Sequence, residues 1–354
     1  MSDALLEIDD LKTYFDLSEG TVRAVDGVSL TVHPGETLCV VGESGCGKSV
    51  TARSILQLVD RPGRIVGGHI RYHAKADSKP VDLATLPANS SEIRRIRGNE
   101  IAMIFQEPMT ALSPVHTIGH QIIETIRTHE TVTKAEARER AIEELRRVGI
   151  PRPEIRVDAY AFQLSGGMRQ RAMIALALAC RPRLLIADEP TTALDVTTQA
   201  QILGLLCDLQ DELGMAIIFI THDLGVVAEI ADRVAVMYLG VVAEQGDVDS
   251  IFHAPRHPYT HALLKSLPSV ERHRVHDRLP TIRGMVPHPS NRPPGCPFHT
   301  RCDVAIAGVC ETTMPPELIA ASDETGTRLV RCHLYEDAAD LRTGSAVASL
   351  GGTT

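Results

Sequence analysis

Eight residues, Gly42-Glu43-Ser44-Gly45-Cys46-Gly47-Lys48-Ser49, constrain this chain more than any other stretch. They fit G-x-x-x-x-G-K-[ST], a loop that cradles phosphates. The run before it, Thr37 to Val41, is apolar and β-branched and reads as a buried strand. The run after it, Val50 to Leu58, has the apolar spacing of a helix. Strand, loop and helix in that order are the context the motif requires. Glycines let the backbone approach an anion closely, and the loop N–H groups point inward as a nest. The new helix adds unpaired N–H groups and the positive end of its dipole. Gly42 to Val50 is therefore a nucleotide site, with Lys48 reaching the β- and γ-phosphates and Ser49 holding Mg²⁺.

The chain has 354 residues, enough for one large domain and a smaller one. Its net charge of -9 argues against nucleic acid as the main partner, because no basic excess exists to neutralise phosphates. The acidic start lacks the layout of a signal peptide. The longest apolar run, Ala172 to Cys180, is far short of the ~18 residues of a membrane span. A cytosolic protein is expected, with any membrane role exercised through partners. Eight cysteines then do not imply disulfides.

Along the chain, Leu5 to Phe15 and Val22 to Val32 read as strands around a turn at 17–20. Tyr14 and Phe15 form an aromatic pair in a chain with only 3% aromatics, so one of them is a candidate to stack on an adenine ring. Residues 67–98 are polar and irregular and read as a surface hairpin and loop. Ile101 to Phe105 is a strand that delivers Gln106. Thr133 and Glu136 make a capping box before the stripe Ala141, Ile142, Leu145 and Val148. Leu164-Ser165-Gly166-Gly167 runs into the alanine-rich helix 172–180, again presenting bare N–H groups. Leu184 to Ala187 is a buried strand ending in Asp188-Glu189, a pair suited to Mg²⁺ handling and activation of water. Ala216 to Ile220 ends in Thr221-His222, and that position makes His222 a candidate among fifteen histidines.

Taken together these pieces resemble the ATP-binding subunit of an ABC transporter. The phosphate loop at 42–49, the glutamine loop at Gln106, the signature at 164–167, the acidic pair at 188–189, Ala193-Leu194-Asp195 and His222 follow the family order. The resemblance implies an α/β P-loop ATPase domain over 1–240, with a helical subdomain at about 107–180. Two subunits would sandwich ATP between the phosphate loop of one and Ser165, Gly166 and Gly167 of the other. Glu189 would be the general base, with Lys48, Gln106 and His222 as its catalytic companions. Asp188, Gln106 and Ser49 would serve Mg²⁺, and Phe15 or Tyr14 would stack on adenine.

Phe105 to Leu112, Met168 to Arg171, His257-Pro258-Tyr259-Thr260 and Gly295 to Cys302 resemble the oligopeptide/dipeptide/nickel import group. This implies a C-terminal accessory domain over 241–336 and import of peptides, or of nickel or other cargo. Two membrane permease subunits, a second and non-identical ATPase subunit and an extracytoplasmic substrate-binding protein would be its partners, at the cytoplasmic face of the inner membrane. One departure is Ala161-Phe162, where the group has Pro-His, which alters a contact near the permease. A soluble ABC ATPase of translation or DNA repair would carry two cassettes or a coiled coil, and a non-catalytic iron–sulfur regulator would not need Glu189 and His222.

Cys296, Cys302, Cys310 and Cys332 crowd the C-terminal third. Their spacing lacks the close C-x₂₋₄-C pairs of zinc sites, and thiolates with uneven spacing also hold iron–sulfur clusters. The group resemblance implies a [4Fe–4S] cluster; Zn²⁺ and unligated thiols stay open. Cys46 stands where many relatives have serine, and a position that tolerates small side chains is the first reading, although a helix N-terminus and Lys48 can make such a thiol reactive. From 337 to 354 the residues are small and polar, and disorder is expected.

Overall fold

The short apolar runs at 37–41, 101–104, 184–188 and 216–221 show no period-two alternation, and each is buried along its whole length. That pattern belongs to strands covered on both faces, and the computed structural model places them at the centre of one sheet. The structure describes residues 4–74, 79–192, 194–266, 282–319 and 328–335. Its strands, in chain order, are β1 (Leu6–Leu17), β2 (Gly20–Val32), β3 (Thr37–Val41), β4 (Gly63–Tyr72), β5 (Val81–Asp82) and β6 (Ile101–Ile104). They continue with β7 (Leu184–Asp188), β8 (Ala216–Thr221), β9 (Arg233–Tyr238), β10 (Val241–Asp247), β11 (Leu318–Ile319) and β12 (Leu329–Val330).

The central sheet has the order β11-β12-β10-β9-β3-β8-β7-β6. The five strands from β9 to β6 are parallel, and β10, β12 and β11 add antiparallel pairs at one edge. Alternate residues feed two different cores. Leu38, Val40, Leu184, Ile186 and Ile218 pack with the antiparallel sheet β2-β1-β4-β5 and with Ala52 and Ile55 of the helix Lys48–Ile55. Cys39, Val41, Leu185, Ala187 and Phe219 pack against the helices Ile118–His129, Lys134–Arg147, Gly166–Leu178 and Val196–Leu213.

Local rules account for most element ends. Thr133 Oγ1 accepts from the Glu136 N–H at 3.2 Å while the Glu136 carboxylate accepts from the Thr133 N–H at 2.8 Å, so the capping box is complete. Ala141, Leu145 and Val148 bury their stripe, and Gly149 turns the chain at a φ of 74°. The β1–β2 hairpin is tighter than its composition suggests: Leu17 pairs with Gly20, so both strands outrun their expected ends. In 67–98 the expected hairpin is present as β4 pairing with β5, but the expected loop after it contains a helix Ser91–Ile96 capped by Ser90. The strand is disguised by Gly67-Gly68. At Gly68 φ is 85°, and a Cβ would lie 2.4 Å from the Asp10 carbonyl oxygen, so the bulge there needs glycine.

Past residue 240 the described chain packs onto the same core. Tyr259, Cys296, Phe298 and Cys310 belong to the helical-side cluster, and the Tyr238 and Phe298 rings meet edge to face at 5.2 Å. A fully buried Glu244 in β10 joins the distant parts. Its carboxylate accepts from the N–H groups of Arg256 at 2.8 Å and His257 at 2.9 Å, and from Arg328 at 3.1 Å. Residue 336 and the tail 337–354 lie outside the described residues, as does Ala193.

Removing one partner of a buried charge pair is costly because the other charge loses its compensation. Glu244→Ala is expected to lower unfolding stability by about 3–5 kcal/mol, read as a shift in the denaturant midpoint with an unchanged slope.

Candidate functional site

Parallel pairing brings the carboxyl ends of four strands to one edge. Val41 of β3 sits beside Thr221 of β8, Ile220 of β8 beside Asp188 of β7, and Ala187 of β7 beside Ile104 of β6. The residues that follow, Gly42, His222, Glu189 and Gln106, therefore emerge together, where ligands bind in open α/β sheets.

Two glycines of the phosphate loop cannot be replaced. A Cβ on Gly42 would lie 2.2 Å from the Met237 carbonyl oxygen, and one on Gly47 would lie 2.2 Å from that of Ala24; both residues have positive φ. Lys48 is buried, and its ammonium donates to the carbonyls of Gly42 at 2.8 Å and Glu43 at 3.2 Å. The cleft beside the loop is lined by Ser44 to Val50, Gln106 and Glu189, with Val22 and Ala24 of β2 and with Pro289.

The acidic pair divides its work by environment. Asp188 ends β7, is buried, and accepts the Ser49 hydroxyl at 2.9 Å. Burial pushes its carboxyl above the usual carboxylate range, the Ser49 hydrogen bond opposes this, and the Glu189 charge adds to it. Hard oxygen donors of this kind suit Mg²⁺, and a divalent cation would offset what burial costs the carboxylate. Glu189 has left the strand and holds a φ of 48°, an uncommon value for a residue with a side chain. Its Oε2 accepts from Gln106 Nε2 at 2.9 Å and from the Thr192 hydroxyl at 3.0 Å, and its Oε1 lies 3.3 Å from His222 Nδ1. His222 itself is 64% exposed. One carboxylate thus gathers two further candidate residues, Gln106 and His222.

Strand alternation separates the two candidate aromatics. Phe15 pairs with Val22, which lines the cleft, so both share the face toward the phosphate loop. Tyr14 pairs with Arg23 on the other face, and its hydroxyl is taken by Asp26 at 2.5 Å. Ser165 caps the helix Gly166–Leu178, accepting from the Met168 N–H at 3.4 Å. Ser165 and Gly166 are exposed, and neither they nor Gly167 line the cleft of their own chain.

Cys46 does not have the setting its position suggests. Its side chain is 1% exposed and packs in the core between the two sheets. Burial raises its thiol above the ordinary range, and Lys48, at 3.8 Å, opposes this only in part. Among the described residues no group of three or more His, Cys, Asp or Glu is positioned to hold a metal ion, and this includes the four C-terminal cysteines.

Three residues of the site escape motif reading. Pro289 lines the cleft, Tyr259 accepts the Glu43 N–H at 2.9 Å, and Arg301 grips the Glu43 carboxylate. Tyr259 and Arg301 stand in quoted group motifs, but nothing local to those motifs points to the loop.

Such a loop, acidic pair, glutamine and histidine at the ends of parallel strands define an ATP-hydrolysing cassette, and the chain belongs to the ABC transporter family. The family "ABC transporter" matches residues 25–192, and "Oligopeptide/dipeptide transporter, C-terminal region" matches residues 243–310. A probable peptide ABC transporter ATP-binding protein of Sinorhizobium fredii is 53% identical over 315 residues, 89% of this chain and 91% of that one. The oligopeptide transport ATP-binding protein AppD of Bacillus subtilis is 51% identical over 334 residues, 94% of this chain and 97% of that one. Among solved structures, the ATP-binding cassette MJ0796, a dimer in a post-hydrolysis state bound to ADP and Pi, matches with a TM-score of 0.60 at 27% identity. That match covers 69% of this chain and 98% of the other. No helix among the described residues is long and apolar enough to cross a membrane.

Because the reactive species is the thiolate, Cys46 is expected to resist iodoacetamide at pH 8 in the folded chain and to react only on denaturation. Peptide mapping by mass spectrometry checks this, and ATP should leave the extent of labelling unchanged.

Proposed function

We propose that this chain is the ATPase subunit that powers peptide import through separate membrane subunits. The observation that carries this reading is that Lys48, Ser49, Gln106 and Glu189 line one cleft, with Asp188 bonded to Ser49 and His222 beside Glu189, in a chain whose C-terminal part matches the oligopeptide/dipeptide transporter region. Relatives from Sinorhizobium fredii and Bacillus subtilis are named for peptide and oligopeptide transport.

Phosphoryl transfer to water is governed by positioning and charge. Lys48 would take the β- and γ-phosphates, and Ser49, Asp188 and Gln106 would hold Mg²⁺, which would supply charge neutralisation on the phosphates. Glu189 takes the proton of the attacking water, with Gln106 and Thr192 fixing one carboxylate oxygen and His222 beside the other. Phe15 stacks on adenine. Ser165-Gly166-Gly167, exposed at its first two residues, completes the site of a second, related ATPase subunit, and that subunit's signature completes this one. An apolar groove lined by Leu56, Phe105, Ala111, Met173 and Leu176 opens next to Gln106 and suits an inserted permease helix. The exposed, stacked rings of Tyr160 and Phe162 lie on the same helical subdomain, where the group carries Pro-His. The chain then sits on the cytoplasmic face of the inner membrane, with 241–336 as its C-terminal oligopeptide-transporter-type domain, and cargo arrives from an extracytoplasmic substrate-binding protein.

For the four cysteines, a [4Fe–4S] cluster fits better than zinc. The spacing lacks the close C-x₂₋₄-C pairs of zinc sites, and among the described residues no trio is already arranged to hold a single metal ion. The thiols of Cys296, Cys302 and Cys310 are nonetheless near enough to bear electrostatically on Cys332, whose thiol burial pushes up to about 12. A cluster spreads its ligands over several irons and so over a wider span. Backbone N–H groups already serve the sulfurs: that of Ile306 donates to Cys310 Sγ at 3.3 Å, and those of Phe298, Val304 and Leu334 favour the thiolates of Cys296, Cys302 and Cys332.

Glu189→Gln is expected to bind ATP while hydrolysing it about a hundredfold or more slowly, and cells relying on it should not take up labelled di- and oligopeptides that wild type restores. Wild-type turnover in that variant would remove Glu189 from the base role, and unchanged peptide uptake without the gene would overturn the peptide reading. After anaerobic purification, iron and acid-labile sulfide are expected in equal amounts; zinc without sulfide would replace the cluster.

A further inference from the structure

The phosphate loop is held from outside its own motif. Glu43, its first variable residue, is fixed at three points. The Glu43 N–H donates to Tyr259 Oη at 2.9 Å, and its carbonyl accepts from Lys48 Nζ at 3.2 Å. Its carboxylate receives a fork of two bonds from Arg301, at 2.6 and 3.0 Å. The Arg301 side chain is 4% exposed and that of Glu43 25%, so the pair is shielded from solvent.

Both outer anchors are themselves rigidly set. Arg301 lies in the turn His299–Arg301, where its own N–H donates to the Phe298 carbonyl at 2.9 Å. Arg301 Nε donates to the Arg283 carbonyl at 2.9 Å, and its guanidinium lies over the Tyr238 ring at 5.8 Å. The Tyr259 ring is fully buried, packed against Tyr238 at 4.7 Å and Phe298 at 5.3 Å. Two consequences follow from elementary electrostatics and geometry. A bidentate arginine–carboxylate pair fixes orientation as well as distance. A bare carboxylate in a loop built to accept a polyphosphate would repel its ligand, and Arg301 cancels that charge in place.

We propose that Arg301 and Tyr259 are positioning residues for the nucleotide: they hold Glu43, and through it the phosphate loop, in the form that accepts phosphates. ATP affinity is thereby set by the segment beyond residue 240. This rests on 42–49 being the nucleotide site. Failure of that reading would show separately, as no nucleotide binding by the unaltered chain.

The test is equilibrium binding of a fluorescent ADP to the full chain in the presence of Mg²⁺, with thermal unfolding measured alongside and steady-state ATPase measured on the assembled transporter. Arg301→Gln is expected to weaken ADP binding about tenfold, as for loss of a charged hydrogen bond, and Arg301→Lys, which keeps the charge but not the fork, should recover part of it. Tyr259→Phe removes a single hydroxyl within a packed ring and should weaken binding about threefold to fivefold without lowering the unfolding temperature. In each case KM for ATP rises while kcat stays within about twofold. The Arg301→Gln effect should shrink when Glu43→Gln is already present. Wild-type affinity in both Arg301→Gln and Tyr259→Phe would overturn the proposal. So would an Arg301→Gln loss of the same size in the Glu43→Gln background, because Arg301 would then act elsewhere.

Discussion

β3 lies between β8 and β9, parallel to both, and all five of its residues are buried. The arrangement of the catalytic edge follows from that pairing. The loop leaves β3 where β8 delivers His222 and, one strand further, β7 delivers the acidic pair. The same placement creates the steric limits on the loop. Gly42 passes against the Met237 carbonyl of the neighbouring strand, and Gly47 against the Ala24 carbonyl of β2. A side chain at either place would push the loop away from the sheet that orients it. The glycines are demanded by packing as much as by ligand approach.

The charges at the site are distributed so that each acidic group has a different partner. Asp188 has Ser49, Glu189 has Gln106, Thr192 and His222, and Glu43 has Arg301. Of these three carboxylates one is neutralised by a buried guanidinium, and the other two are held by neutral donors or stand beside an imidazole. The lysine meanwhile rests on two carbonyls of the loop.

What was legible in the sequence was local. The phosphate loop, the apolar strands read at 101–105, 184–187 and 216–220 and the capping box at Thr133 are each decided by neighbours within a few residues. The features missed depend on distant ones. Gly67-Gly68 reads as a break in a strand until the Asp10 backbone on β1 is seen to fill the space a side chain would need. Cys46 has a helix start and a lysine beside it, both of which favour a thiolate. The larger influence, burial between two sheets, is set by strands that no motif mentions. Tyr259 and Arg301 are 216 and 258 residues from Glu43, too far for spacing to link them. The motifs containing them could be matched to a group without disclosing what they touch.

The grip of Arg301 on Glu43 also has a meaning in time. A chain made from its N-terminus folds its early parts first, and β3 with its loop appears early. The guanidinium that steadies the loop is supplied 258 residues later, and β12, which pairs with β10, comes later still. During synthesis the motif therefore exists long before its supports do. A loop steadied in this way exists only once the chain has been made at least as far as Arg301, long after the motif itself.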